Sequence, residues 1–384
     1  MKVLKTLQIG LEGFDKNGIA MLLYNFNQNL DNRKVIFDYV VPNKIKIEDS
    51  YYKKSIENKK GKVYELEISK TGVNKKILYF FKLIKFLKNN RYEIVHINES
   101  TAHMMLYYTI ICKIVGIKKI ILHSHSSGFD SGKREIKLIF HNISKFLLPL
   151  FTKNYLACSQ TAAKWTFLKK YLDEVKIINN GIDTEKFKFD SEKRKEIRKT
   201  LKIEKNFVLG HIGRMSYQKN HEFLIDLFKE VVKNIPESKL LLIGTGPLES
   251  KLKEKVKKLK LDGNILFLGV RDNVADYLQA MDLFLLPSHF EGLGIVGVEA
   301  QATGLFSLFS NIIPKEIEIT NLCEFISLKD RKGWLELIKL KKEKYKDLKR
   351  ESYFLEVRKN GYDIKECTEE LIRAYKKLLN KGKL

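Results

Sequence analysis

The sequence predicts an α/β protein of two parallel-sheet domains. Three observations carry this. Short runs rich in Ile, Val, Leu and Phe alternate with amphipathic, lysine-rich stretches, the alternation of parallel strands joined by helices. The runs fall into two series separated by a turn-forming segment. A chain of 384 residues is also long enough for each series to bury its own core.

In the first series, strands are predicted at 4–9, 35–41, 62–66, 93–97, 119–123, 154–158 and 175–178. In the second they are predicted at 207–212, 239–243, 264–268, 283–286, 305–309 and 324–326. Between them, residues 179–187 read NNGIDTEKF, rich in turn formers, and a charged helix follows through Leu201. The domains are therefore placed at 1–183 and 190–361, with a C-terminal helix at about 362–384 packing back on the first. The whole lysine-rich stretch 342–379 reads as helical and has no strand after it. Open parallel sheets bind ligands beyond the carboxyl ends of their strands, so function is sought in the loops after strands and in a cleft between the domains.

Composition narrows the class. Hydrophobic content of 44% and aromatic content of 11% fit a folded globular chain, and no Gly/Ser- or Pro-rich tract marks a disordered linker. Cys112, Cys158, Cys323 and Cys367 lie far apart in apolar runs, without metal-ligand spacing, and read as reduced core residues of a cytoplasmic protein. The N-terminal run is too short for a secretory signal, and the run 102–117 reads as a buried helix because His103 and Lys113 interrupt it. A formal charge of +25 attracts polyanions of any kind, and it is spread over both halves rather than held in one tail.

The most informative block is 282–304, DLFLLPSHFEGLGIVGVEAQATG. A strand ends at Pro287, a loop presents Glu291, and Gly292 and Gly294 allow close backbone approach before a helix carries Glu299. The helix start at Gly292, Leu293, Gly294 and Ile295 suits a diphosphate, because unpaired N–H donors and the helix dipole both favour an anion there. A carboxylate further along the helix suits the paired hydroxyls of a ribose. Two glutamates eight residues apart are, in an arbitrary chain, surface charges; the glycines and the strand end around this pair argue otherwise. A second block, 211–221, reads HIGRMSYQKNH and places Arg214 and Lys219 after a strand, where two cations can stabilise a departing diphosphate.

These blocks resemble the retaining, family-4-type glycosyltransferases, in particular those that build capsular, exo- and O-antigen polysaccharides. The matches run from Gly10 to about Asn311 and are densest between His211 and Ser310. The resemblance implies a GT-B fold, two Rossmann-like parallel-sheet domains facing a central cleft, with the acceptor on the N-terminal side and the nucleotide sugar on the C-terminal side. It implies Arg214 and Lys219 as diphosphate ligands, Glu299 as ribose anchor, and Glu291 with His125 (His123 second) as sugar contacts. Arg271, in the strand-end loop FLGVRDN, is implied near the base, and Gly18, in the glycine-bearing loop after the first strand, near the phosphates. Asn17 stands where the family has the first of two paired glycines, and Leu305-Phe306 lacks the family's proline, so a packing change is expected there.

The function implied is retaining, metal-independent transfer of a sugar from a nucleotide sugar, a UDP-sugar by analogy, to a hydroxyl of a saccharide, lipid-linked acceptor, with no cofactor. The basic amphipathic stretch 74–88 makes an anionic membrane surface a candidate partner, with localisation in the cytoplasm or at the inner face of the plasma membrane. Rival readings are an inactive scaffold on the same fold, a basic polyanion binder, and a nucleotide-sugar epimerase. Nucleic acid is disfavoured, because no interleaved basic and aromatic motif is present.

Overall fold

The computed structural model describes residues 3–13, 18–45, 50–68, 72–130, 134–345 and 350–384. They form two compact units. The first comprises Met1–Gly128, Gly132–Gly181 and Ile364–Leu384, and the second Phe129–Ser131 and Ile182–Asp363.

The first unit runs β1 (Leu4–Ile9), α1 (Gly18–Gln28), β2 (Val35–Val41), α2 (Ser50–Asn58), β3 (Val63–Glu65), α3 (Gly72–Asn89), β4 (Ile94–Glu99), α4 (Ala102–Ile114), β5 (Lys119–Ser124), α5 (Arg134–Leu147), β6 (Tyr155–Ala157), α6 (Gln160–Thr166) and β7 (Lys176–Ile177). Its parallel sheet has the order β3-β2-β1-β4-β5-β6-β7. Strand β2 is buried at every residue, as a strand covered by helices on both faces must be. The run 102–117 does form a core helix, with Met105, Tyr108, Ile111 and Cys112 of α4 buried.

The second unit runs α7 (Ser191–Leu201), β8 (Phe207–Ile212), α8 (His221–Asn234), β9 (Ser238–Ile243), α9 (Glu249–Lys258), β10 (Ile265–Gly269), α10 (Val274–Ala280), β11 (Leu283–Leu286), α11 (Ile295–Ala302), β12 (Ser307–Ser310), β13 (Cys323–Ile326), α12 (Arg331–Tyr345) and α13 (Phe354–Val357). Its sheet has the order β10-β9-β8-β11-β12-β13. Asp282, at the start of β11, is structural: it accepts from Val208 N–H at 2.8 Å and pairs with Arg194 and Arg198 of α7.

Each predicted strand is present, with ends that agree to within two residues. The stretch 342–379, which reads as helical, is divided in the structure. α12 ends at Tyr345, α13 and a turn at Gly361 (φ 81°) follow, and α14 (Ile364–Lys381) starts anew. A left-handed residue cannot be carried inside a helix, so the break falls there. Helix α14 is amphipathic and buries Leu371, Tyr375 and Leu378 among Phe26, Phe37 and Tyr39 of the first unit. The stretch 74–88 lies in α3, which turns Tyr79, Leu83 and Leu87 into the core and leaves Ile77 and Phe81 exposed. All four cysteines are buried and none is in a disulfide.

Both sheets reverse direction of growth once, between β1 and β4 and between β8 and β11. At such a point the loops leaving the two strands diverge and open a crevice at the carboxyl edge. The candidate residues stand at these edges.

Candidate functional site

In the second unit the two loops at the switch point are bonded together. The loop after β8 carries Gln218 and Lys219, and the loop after β11 carries Ser288 and Glu291. Lys219 Nζ donates to Glu291 Oε1 at 2.6 Å, Ser288 Oγ to the same oxygen at 2.7 Å, and Gln218 Nε2 to Glu291 Oε2 at 3.1 Å. The backbone completes the seam, with His289 N–H donating to Gln218 O at 2.8 Å. The lysine and glutamate side chains are only 14% and 6% exposed, so this is a largely desolvated, hydrogen-bonded charge pair.

The Gly-x-Gly at Gly244 and Gly246 is more than a turn. Gly244 has φ +127°, and a Cβ there would stand 2.2 Å from Gly213 O; one on Gly246 would stand 2.5 Å from Met215 O. The absence of side chains lets the loop after β9 lie directly under the backbone of Arg214, where Met215 N–H donates to Thr245 O at 2.9 Å. Arg214 itself is exposed and has no hydrogen bond to any described residue.

Gly294 (φ 94°) is the N-cap of α11, which places Glu299 on the second turn. The carboxylate of half-buried Glu299 has no hydrogen-bond or ion-pair partner among the described residues. Burial pushes its carboxyl up to about 7, against the opposing pull of Lys186 and Lys219. An unpaired carboxylate inside a protein is costly unless a ligand supplies donors, so this group is poised to accept hydrogen bonds. Exposed Lys186, in the 3-10 turn Thr184–Phe187, was not legible in the sequence as part of this cluster. Arg271 is exposed, its guanidinium 5.7 Å from the centroid of the Tyr277 ring.

In the first unit the candidate histidine ends a buried polar ladder. His125 Nε2 lies 3.2 Å from Asn98 Oδ1, and Asn98 Nδ2 donates to Gln8 Oε1 at 3.0 Å. The His125 ring lies 4.0 Å, centroid to centroid, from His123. His123 Nδ1 is 3.2 Å from His96 Nε2, and His96 Nδ1 is 2.7 Å from the Tyr375 hydroxyl on α14. Burial lowers His125 to about 3 and holds His96 and His123 well below the ordinary histidine value, so all three rings are neutral at pH 7. With Asn98 Nδ2 donating to Gln8, Asn98 Oδ1 faces His125 as an acceptor, so Nε2 carries the proton. His125 Nδ1 is left as a buried acceptor with no hydrogen-bond partner among the described residues. His123, the second candidate, instead stands inside the ladder.

Gly10 (φ 108°) brings the loop after β1 against β4, since a Cβ there would lie 2.0 Å from Asn98 O. Close approach is thus achieved at Gly10. Gly18 is the first residue of α1, and Asn17, where the sequence departs from paired glycines, lies outside the described residues. One carboxyl passed unnoticed in the sequence: Glu99, at the end of β4, is pushed up to about 8 by burial, although it accepts from Ser100 N–H at 3.1 Å. Its only local signal is its place at a strand end beside the switch point. Phe306, at the position lacking the family's proline, packs beneath Lys341 with Nζ 3.5 Å from the ring centroid.

The structure thus brings Lys219, Glu291 and the α11 start together in the second unit and places His125 at a carboxyl edge in the first. Two Rossmann-like parallel-sheet units, each with a switch point, make the GT-B fold. Residues 192–323 match the family described as Glycosyl transferases group 1, and residues 16–186 match Glycosyltransferase Family 4. The chain belongs to these family-4-type glycosyltransferases.

Similar proteins include an Escherichia coli UDP-Gal:alpha-D-GlcNAc-diphosphoundecaprenol alpha-1,3-galactosyltransferase, 33% identical over 60% of this chain and 60% of that protein. The Staphylococcus aureus capsular polysaccharide biosynthesis glycosyltransferase CapH is 26% identical over 78% of this chain and 81% of its own length. Among solved structures, Anabaena HepE in complex with UDP-glucose superposes with a TM-score of 0.77 at 18% identity, covering 98% of this chain and 100% of that one.

Proposed function

We propose that the chain transfers a sugar, with retention of anomeric configuration and without a metal ion, from a UDP-sugar to a hydroxyl of a lipid-linked saccharide in cell-surface polysaccharide synthesis. The second unit holds the donor and the first receives the acceptor. The observation that carries this reading is a set of groups on the second unit: a desolvated Lys219–Glu291 pair at the switch point, an exposed Arg214 in the loop after β8 and an unpaired Glu299 on α11.

The division of roles follows from each group's situation. Glu299, the acceptor without a donor, takes the two ribose hydroxyls. Arg214 and Lys219, with the N–H groups of Gly292, Leu293, Gly294 and Ile295, stabilise the charge that develops on the departing diphosphate. Lys219 is fixed beforehand by Glu291, so no reorganisation is required of it when that charge appears. Glu291 acts on the sugar side through its remaining lone pairs, and neutral His125 accepts from a sugar hydroxyl through Nδ1. Arg271 lies toward the base and Gly18 toward the phosphates. The names of the galactosyltransferase and of CapH support a saccharide acceptor of the capsular or diphosphoundecaprenol-linked kind, and the HepE complex supports UDP.

The test is a nucleotide-release assay over UDP- and GDP-sugars with membrane extract as acceptor source, beside Lys219→Ala and Glu299→Ala. Release of UDP by the wild type and a hundredfold or greater loss in both variants is expected. No release from any donor, or equal release by both variants, sinks the assignment.

A further inference from the structure

The buried ladder of the first unit decides what His125 can offer a ligand, and the deciding residue is Asn98. The two ends of an asparagine amide differ in whether they donate or accept, so the orientation is read from a partner whose role is fixed. The His96 carbonyl is such a partner: a backbone oxygen only accepts, and it lies 3.2 Å from Asn98 Nδ2. Gln8 Oε1 accepts from the same nitrogen at 3.0 Å. Gln8 is itself held, its Nε2 donating to Thr6 Oγ1 at 3.1 Å and to the Tyr375 hydroxyl at 3.3 Å. Turning the Asn98 amide over would set oxygen against the His96 oxygen, among residues 8, 96 and 98 that are each 0% exposed.

Asn98 Oδ1 therefore faces His125 Nε2 as an acceptor, 3.2 Å away. A neutral imidazole has one N–H, and this bond claims it for Nε2. Two further contacts hold the residue in place: the His123 ring lies 4.0 Å off, centroid to centroid, and His125 N–H donates to Glu99 O at 3.2 Å. Nδ1 keeps a bare lone pair, enclosed and without a hydrogen-bond partner among the described residues. Burial holds the ring neutral, its value lowered to about 3, so a second proton does not occupy Nδ1 near neutral pH.

An imidazole so placed serves a ligand in one way. It accepts at Nδ1 and offers neither a donor nor a charge there. A hydroxyl satisfies that lone pair, whereas a carboxylate oxygen or a fluorine sets a second lone pair against it.

We propose that Asn98 is a positioning residue that locks His125 as an acceptor at Nδ1, and that the lock selects a sugar presenting a hydroxyl at that position over one presenting only acceptor atoms, such as a carboxylate. The selection rests on the proposed contact of His125 with the sugar. The lock itself is read without any sugar.

Long-range proton–nitrogen-15 spectra of the histidine-labelled full chain report the tautomer, with His125→Ala giving the assignment. Wild type is expected to carry the His125 proton on Nε2. Gln8→Leu should do the same, because the His96 carbonyl still orients the amide, and Asn98→Leu should lose the preference. A proton on Nδ1 in the wild type overturns the proposal. Calorimetry then compares UDP, UDP-glucose and UDP-galactose with analogues carrying fluorine in place of one sugar hydroxyl at a time, since fluorine removes the donor and leaves an acceptor. Substitution at one carbon should weaken binding to the wild type about tenfold, the size of one buried hydrogen bond, and have no such effect in Asn98→Leu or His125→Ala. UDP alone, which lacks the sugar, should bind wild type and Asn98→Leu alike. Thermal melts establish that each variant folds; if Asn98→Leu does not, the wild-type spectra and the comparison with His125→Ala decide. Fluorinated analogues that affect wild type and His125→Ala equally overturn the selection. A wild type that binds no UDP-sugar sinks the proposed function and the sugar contact together, while the spectra still decide the lock.

Discussion

Lys219 Nζ lies 2.6 Å from Glu291 Oε1, a pair formed between the two loops that leave adjacent strands at the reversal of the second sheet. Each side chain reads singly as a ligand contact; in the folded protein each is also the other's counter-ion. Removing one leaves the other charge buried and unpaired. Lys219→Met and Glu291→Gln are each expected to destabilise by about 2–4 kcal/mol, and the double variant by clearly less than their sum. Urea denaturation of the four proteins measures the coupling, and strict additivity would contradict it.

Glu299 yields two effects of opposite sign. Its folded value of about 7 lies above the ordinary 4.5. Folding therefore favours its protonated form: the residue costs no stability below pH 4.5, costs increasingly more as pH rises to 7, and exacts the full penalty above that. Glu299→Gln is expected to stabilise the ligand-free protein by up to about 3 kcal/mol at pH 8 and to leave it unchanged at pH 4. The same variant should bind UDP at least tenfold more weakly by calorimetry at pH 8. In the wild type, UDP affinity should fall as pH drops through 7.

The histidine ladder depends on a residue from the far end of the chain. Tyr375→Phe removes the partner of His96 Nδ1, at 2.7 Å, and of Gln8 Nε2, at 3.3 Å. A loss of about 1–3 kcal/mol is expected, the cost of leaving buried polar atoms unmatched. Nitrogen-15 spectra should show His96, His123 and His125 neutral from pH 8 to pH 5, with the His96 tautomer populations altered in the variant. A titration of His125 near 6.5 would refute the burial argument.

Gly244→Ala tests whether the loop beneath Arg214 is a fixed platform. The left-handed φ and the 2.2 Å approach to Gly213 O leave no room for a methyl group. Destabilisation of about 2–4 kcal/mol is expected, with weaker UDP binding in whatever folds. Unchanged stability would mean that the loop yields freely.

Much of this was legible locally. Parallel strands are short apolar runs, and each predicted strand appears in the sheets. The block around Glu291 and Glu299 was readable because glycines, a strand end and a helix start are neighbours in sequence. Within 342–379 periodicity does not mark where one helix stops and the next starts, because the break depends on the backbone at Gly361.

The sequence by itself determined the two α/β units, the strand-end loops and the residue types proposed to meet a nucleotide sugar, since these depend on period and on near neighbours. Tertiary structure alone decided that Lys219 engages Glu291, that the Glu299 carboxylate stands unpaired among the described residues, and that Tyr375 anchors a ladder reaching His125. Each of those joins groups or faces that no local pattern relates, and each is settled by which surfaces remain to be buried once the sheets have formed.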